Sequence, residues 1–370
     1  MMKKSGLLLW GIILLLAASS CQVIYDDPSI QSDKTILTVT GRVTNSPGPY
    51  YVRLSIAVPF NTQYTTEAKE IAVKGAKITI ADNAGNSEVL SEQSTGLYAT
   101  TANGIQGMVG RMYTLTIVTK EGDSYKSSPC LLNPPLPIDS IYYEAATNQT
   151  LSTTGSGIAN ENGVNIYTDL APIKSQPVYC KFETRIIREI LGYEYPNGPH
   201  EPQINVFAWT VNQLEDLPDL NANVTPGNNL IKKQSLGFLA KDQLSNNPAL
   251  YAKFNMIGRI VSCYSYSISE EAYLYYTHLH EQLTAENQLF DPISTNLISN
   301  IKCENDPLKK VFGLFEVSGK SAKHSFLRYN QDEMLIRYKN VDDVPDIVTN
   351  GVERDHPPVY DTVPVFWQQF

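Results

Sequence analysis

The sequence predicts a mainly β protein of two sandwich-like domains, the second larger and carrying one inserted α-helix. Three observations lead there. Tyr, Pro and Gly each number 22 in the 370 residues, while Ala-, Leu- and Glu-rich runs are scarce, a profile that suits short strands joined by turns. Apolar and polar residues alternate at period two in many segments. Turn clusters punctuate those segments at the spacing of a β-sandwich.

The chain opens with Met1 to Lys4, a short basic stretch, and Leu7 to Ala18, twelve apolar residues. A signal-peptide core takes about 7–15 apolar residues, whereas a membrane-spanning helix needs roughly 20. The small residues Ala18, Ser19 and Ser20 stand directly before Cys21. Residues 1–20 therefore read as a lipoprotein signal peptide, with Cys21 as the lipidated first residue of the mature chain. Ala18 stands where Leu is commoner, and an ordinary signal peptide with an incidental cysteine is the alternative. No later stretch is long and apolar enough to span a bilayer, so the lipid on Cys21 is the expected membrane attachment. Residues 21–33 read as an acidic tether holding Asp26, Asp27 and Asp33. These acids resemble a signal for transfer to the outer cell surface; solvated linker charges are the alternative.

Lys plus Arg number 29 against 38 Asp plus Glu, a net charge of −9, and loss of Lys3 and Lys4 with the signal takes it to −11. That balance argues against nucleic acid, whose binding rests on neutralising phosphates. It also offers no polybasic support on anionic lipid.

The first domain is expected over residues 34–132. Ile36–Val43 reads as a strand. Tyr51–Val58 alternates more cleanly, with Val52, Leu54, Ile56 and Val58 on one face. Lys77–Ala81, the turn Asp82–Asn86, Gly96–Thr100 and Met112–Val118 complete an immunoglobulin-like set. The run from Gly75 through Gly96-Leu97-Tyr98 resembles transthyretin-like modules. Residues 133–137, Asn-Pro-Pro-Leu-Pro, read as a semi-rigid linker, because proline fixes φ and donates no hydrogen bond. A larger β-rich domain follows over 138–340, beginning at Ile138–Tyr143. Residues 147–163 and 212–229 read as loops from their Asn, Asp, Ser, Gly and Pro content. Strands are expected near Val164–Thr168, Val178–Ile187, Asn205–Val211, Gly258–Ile268 and Lys310–Val317. One helix is expected near 269–287, opened by a capping box at Ser267-Ile268-Ser269-Glu270 and buried through Ala272, Tyr276, Leu279 and Leu283. Residues 341–370 read as a tail.

The sequence carries no catalytic motif. Gly313…Gly319-Lys320-Ser321 imitates a phosphate-binding loop, but five residues separate the glycines where four are needed. His278 and His280 are two apart, about 200° around a helix, and so cannot share a metal. Glu281, on the same helix, could meet only His278. Glu270-Glu271 suit a helix N-terminus without catalysis, and Asp342-Asp343 read as solvated. No metal or cofactor is expected. Cys130, Cys180, Cys263 and Cys303 could form two disulfides in an exported protein or stand as buried free thiols; sequence supports both. Tyr142-Tyr143, Tyr193, Tyr195, Phe207, Trp209 and Tyr273 to Tyr276 are candidate recognition aromatics, although such residues more often fill sandwich cores.

Several segments together resemble one family: the lipoprotein start, the Asn133–Tyr143 junction, Tyr264–Tyr273, Leu289-Phe290-Asp291-Pro292, Ser299-Asn300-Ile301 and Val311–Ser318. In this order they resemble the domain-of-unknown-function 4249 lipoproteins of Bacteroidetes. Ser299 departs from that pattern, where Gly is more usual. The resemblance implies an accessory lipoprotein of the outer membrane, facing the cell surface and working beside a TonB-dependent receptor in nutrient uptake. It carries over no catalytic residue and no ligand. A structural or adhesive surface protein is the second expectation, and a hydrolase with a site assembled in space the third.

Overall fold

The computed structural model describes residues 36–57, 71–151, 157–173, 177–194, 204–214, 218–223, 230–240, 254–285, 298–330, 335–341, 344 and 351–354. The signal, Cys21, the tether, Leu289–Pro292, Tyr195 and Asp342-Asp343 lie outside the described residues, as do the side chains of Tyr193, Phe207 and Trp209.

The first β region contains β1 (Ile36–Thr44), β2 (Tyr51–Ala57), β3 (Ile71–Ala72), β4 (Lys77–Asp82), β5 (Ser87–Val89), β6 (Ser91–Ser94), β7 (Leu97–Ala99), β8 (Met112–Val118), β9 (Ser124–Ser127) and β10 (Cys130–Leu131). The second opens with the hairpin β11 (Ile138–Leu151) and β12 (Ile158–Leu170). It continues through β13 (Val178–Glu194), β14 (Ile204–Gln213), β15 (Asp219–Asn223), β16 (Gln234–Ala240) and β17 (Phe254–Ile268). After helix α1 (Glu270–Ala285) come β18 (Ile301–Cys303), β19 (Val311–Asn330), β20 (Leu335–Val341) and β21 (Gly351–Arg354). Among the described residues no helix is long and apolar enough to cross a membrane.

One large sheet organises these elements, ordered β21-β14-β13-β17-β19-β1-β2-β7-β6, with β3, β15 and β20 attached. Its spine is β19, which pairs in parallel with β1 over Val311–Ser318 and antiparallel with β17 over Gly319–Leu327. Two smaller sheets cover one face. The first, β18-β9-β8-β4-β5 with β10, encloses a core of Val39, Val43, Leu54, Ile80, Leu115 and Phe315 with their neighbours. The second, β11-β12-β16, packs Ile141, Ile166 and Leu236 against Phe182, Val261 and Leu327. Removing these apolar faces from water is the main favourable contribution of both sandwiches.

The strand pattern expected from sequence is present: β1, β2, β4, β8, β13, β17 and β19 fall on the predicted segments. Several details differ. Residues 299–318 complete the first sandwich although they follow the second in sequence: Ile301, Val311 and Phe315 enter its core and β18 pairs with β9. Most of 147–163 is hairpin, with Thr147 paired to Asn162 and Leu151 to Ile158. Residues 147–149 and 158–160 are exposed on both faces, so they lack the alternation that marks a strand. Part of 212–229 forms β15, which pairs with β13. The residues from 341 onward contribute β21, an added strand on β14.

The Asn133–Pro137 segment lies across the large sheet. A side chain on Gly319 would meet the Asn133 carbonyl at 2.3 Å, so only glycine admits the crossing. The Ser265 hydroxyl donates to the Leu136 carbonyl at 2.6 Å, and Ala171 N–H donates to that of Pro137 at 2.9 Å. Proline's missing donors are harmless there, since the segment belongs to no ladder.

Helix α1 begins two residues later than its sequence signature suggests. Ser267 is still in β17, and the N-cap is Ser269, whose Oγ accepts from Ala272 N–H at 3.1 Å. No Glu stands at the third helical position, so the cap is single rather than a reciprocal box. Ala272 is buried, Tyr276 and Leu279 are half-buried, and Leu283 is 44% exposed. The helix covers only part of the sheet.

The four described cysteines are buried free thiols. Cys180 pairs with Ser267 and Cys263 with Thr184 across β13 and β17. That four-residue offset is about 13 Å, beyond the roughly 7 Å a disulfide can bridge.

Candidate functional site

The face of the large sheet opposite the two cores is polar at its centre. Strand β13 places Lys181, Glu183 and Arg185 on that face by alternation, while Phe182, Thr184 and Ile186 are buried, Phe182 and Ile186 in the second core. Tyr266 lies opposite Lys181 and Lys320, and Tyr264 opposite Glu183. Across the parallel seam, Arg42 lies opposite Glu316. Arg53 of β2, opposite Thr40, extends the same face.

Arg42, Lys181, Glu183 and Glu316 form an ion network. Arg42 grips Glu183 with two nitrogens, at 2.6 Å and 3.3 Å, and its Nε lies 3.1 Å from Glu316. Lys181 Nζ lies 2.5 Å from Glu316 Oε2 and 3.3 Å from Glu183 Oε1. Tyr276 of α1 donates to Glu316 Oε2 at 2.6 Å, and Ser318 donates to Oε1 at 2.8 Å. Both Glu316 oxygens are thus satisfied. Tyr266 lies beneath two cations, 4.5 Å from Arg42 and 4.9 Å from Lys181. Tyr264 receives Lys320 at 4.7 Å and Arg185 at 5.1 Å. Such contacts strengthen where water is excluded.

Burial alone would raise the Glu316 carboxyl, but Arg42 and Lys181, with hydrogen bonds from Lys181 and Tyr276, outweigh it and hold it down at about 2. Burial opposes ionisation of Glu183 too, and Lys181 and Arg42 overcome it, keeping that carboxyl below the ordinary range. Lys181 moves down, through burial and then the Arg42 charge, against the pull of both carboxylates. Burial and the adjacent carboxylates push the Tyr266 and Tyr276 phenols up, so both stay neutral.

Above the network is a cleft of about 680 Å³ between α1, the β1–β2 connection and the sheet. Its lining includes Arg42, Arg53, Arg185 and Lys320, the carboxylate of Glu316, and Tyr50, Tyr51, Tyr266, Tyr275 and Tyr276. Arg42 is 33% exposed and presents its guanidinium here, while Glu316 is 2% exposed and forms the floor.

Of the aromatic candidates, Tyr275 and Tyr276 reach the cleft. Tyr273 packs on Tyr179 at 5.3 Å, Tyr142 on Tyr167 at 5.7 Å and Tyr143 on Tyr338 at 4.9 Å, all outside its lining. His278, His280 and Glu281 stay on the helix surface, and the described residues hold no group of three His, Cys, Asp or Glu suited to a metal ion. Gly313, Gly319, Lys320 and Ser321 are strand residues of β19, with no phosphate-binding loop; Lys320 instead lines the cleft. Sequence reading passed over Arg42, Lys181, Glu183, Arg185 and Glu316. The available signal was Lys181-Phe182-Glu183-Thr184-Arg185, three charges at every second position of a strand-like run.

Fold and site define a two-sandwich β protein with a cation- and tyrosine-lined cleft at the seam its sandwiches share. The chain belongs to the family described as Domain of unknown function (DUF4249), whose model matches residues 25–324. That match includes every residue of the ion network. No curated protein matches the chain.

Proposed function

We propose that the protein is a lipid-anchored outer-membrane component that binds a ligand in the seam cleft and acts beside a TonB-dependent receptor in nutrient uptake. The cleft is the observation that carries the binding role: concave, of small-molecule size and lined by tyrosines and cations. The signal-like start ending at Cys21 supports the anchor, and the acidic tether supports a surface-facing position. The resemblance to Bacteroidetes lipoproteins supports the receptor as partner. An adhesive role would call for broad flat faces, which the cleft disfavours. A hydrolase that used Glu183 or Glu316 as its proton donor is disfavoured, because both are held ionised by cations.

Affinity purification of the full-length protein from native membranes is expected to recover a TonB-dependent receptor, and Cys21→Ala to release the protein from the membrane fraction. Recovery of no outer-membrane transporter, under conditions that keep other such pairs intact, refutes the uptake role. Retention of Cys21→Ala in membranes refutes the anchor.

A further inference from the structure

We infer that the end of the first sandwich at which β1 begins stands on the lipid bilayer, with Leu308 inserted among the headgroups. This rests on the lipid anchor proposed above and adds the face that meets the membrane. At this end Ile36 pairs with Ala57, and Leu37 pairs with Ile56 and, across the parallel seam, with Val311. Three connections gather around them. Lys309, two residues before Val311, reaches Asp123 of the β8–β9 turn at 2.6 Å. The Asn305 side-chain amide donates to the Gly122 carbonyl of the same turn at 3.2 Å. Lys120 of that turn lies beside the β3–β4 connection, where a Cβ on Gly75 would stand 4.0 Å from the Lys120 Cδ. Of the large apolar side chains among the described residues, Leu308 at the tip of this cluster is the most exposed, at 79%. The turn that carries it is held in place: Leu308 N–H donates to Asp306 Oδ1 at 3.0 Å, and Lys309 N–H to the Asp306 carbonyl at 3.1 Å. Ile71, opposite Ile56, adds a second exposed apolar side chain at the same end.

Single exposed leucines are common on protein surfaces; reach and charge select the bilayer for this one. Cys21 precedes Ile36 by fifteen residues, at most about 50 Å of extended chain. In the opposite direction β19 runs about 50 Å from Val311 to Leu327. Beyond Leu327 the molecule continues: Tyr143 packs on Tyr338, the partner of Leu327, and β11 goes on to Leu151, paired with Ile158. That hairpin end lies past the span of the tether, so it cannot be the end that stands on the membrane holding the lipid. Charge points the same way. Residues 73–76, 119–123 and 304–310 carry Lys74, Lys120, Lys309 and Lys310 against Glu121, Asp123, Glu304 and Asp306, four against four, whereas the whole chain carries −9. This end therefore approaches an anionic surface without the repulsion the rest of the chain would meet. The lysine stems lie along the apolar surface while their amines stay among the headgroups, and an apolar side chain buried at that depth adds to the hold of a lipid.

Full-length protein purified from membranes and reconstituted into vesicles of phosphatidylethanolamine and phosphatidylglycerol tests this. A polarity-sensitive fluorophore is attached through Leu308→Cys, through Lys120→Cys, or through Ile158→Cys as the distal control; Ile158 is 69% exposed, and Cys130, Cys180, Cys263 and Cys303 are buried. Flotation with the vesicles reports the anchor. Quenching by lipids that carry a nitroxide at the top of the acyl chain reports the contact. Blue-shifted, quenched emission is expected from labels at 308 and 120, and unshifted, unquenched emission at 158. Leu308→Asp should remove most of the quenching at 120 while flotation is unchanged. Flotation without quenching at 308, equal quenching at 308 and 158, or quenching at 120 that survives Leu308→Asp overturns the inference and leaves the anchor standing. Failure to float refutes the anchor itself and the inference with it.

Discussion

Glu316→Gln is the sharpest test of the seam. The substitution keeps the shape of a side chain that is 2% exposed and removes its charge. Arg42 and Lys181, the latter fully buried, then share Glu183 alone. Removing one partner from a buried ion pair costs about 3–5 kcal/mol, because the stranded charge cannot recover its hydration. The carboxyl itself gives a similar size: held at about 2 instead of about 4.5, it stabilises the fold by about 3 kcal/mol. Lys181 limits the loss, since burial already lowers its pKa and it can shed its proton. The expected destabilisation is therefore about 3 kcal/mol at neutral pH, read by urea unfolding followed by circular dichroism. The pH dependence fixes the cause. A carboxyl with a depressed folded pKa stabilises fully above its unfolded value, near 4.5, and loses that stabilisation as pH falls towards 2. The gap between parent and variant should therefore shrink to about half by roughly pH 3. A variant as stable as the parent at pH 7, or a gap unchanged at low pH, refutes the account of Glu316 as the charged hub of the seam.

Two further outcomes follow from the geometry. Gly313 has φ +89° and a Cβ there would lie 1.9 Å from the Val39 carbonyl oxygen; Gly85 has the same φ with nothing within 4 Å. Gly85→Ala should cost about 1 kcal/mol for the backbone alone, and Gly313→Ala about 2 kcal/mol more from the clash; equal losses in the same urea assay would refute the close approach of β1 and β19. Burial pushes the Cys130 and Cys180 thiols up to about 11 and about 12, so the native protein should resist a thiol reagent at pH 8 and release the four thiols of Cys130, Cys180, Cys263 and Cys303 on unfolding without reductant; thiols that appear only after reduction would establish disulfides instead.

Much of the fold was legible because most strands bury one face. Leu37, Val39 and Val43 alternate with Thr38, Thr40 and Arg42, and the period of two declares both the strand and its inward side. The hairpin arms at 147–149 and 158–160 were illegible for the converse reason: they bury neither face, so their Asn, Thr and Gln content resembles a loop. The Pro-rich crossing was legible as a join, but its seat over Gly319 was not, since that contact arises only when β19 is in place. Helix α1 was placed correctly while its cap was misassigned, because Ser267 and Ser269 both offer a hydroxyl and only the end of β17 decides between them.

The candidate site was half legible, and the missing half lies in pairing. Alternation within β13 already puts Lys181, Glu183 and Arg185 on one side, but three like-facing charges on a strand are ordinary until their neighbours are known. Their neighbours come from strands remote in sequence: Tyr266 from β17, Glu316 and Lys320 from β19, and Arg42 across the parallel seam. Register makes this arrangement unambiguous once it forms. A slip of β1 by one residue against β19 would turn Arg42 into the first core and expose Val43 to the cleft, at the cost of burying an unpaired charge. The same alternation that commits Val317 to the core commits Glu316 to the floor of the cleft, and continued through Gly319 it brings Lys320 to the cleft wall. Arg42, Arg185, Glu316 and Lys320 are therefore positioned in the cleft by the strand order that joins the two sandwiches, not by a loop that could be exchanged without disturbing them.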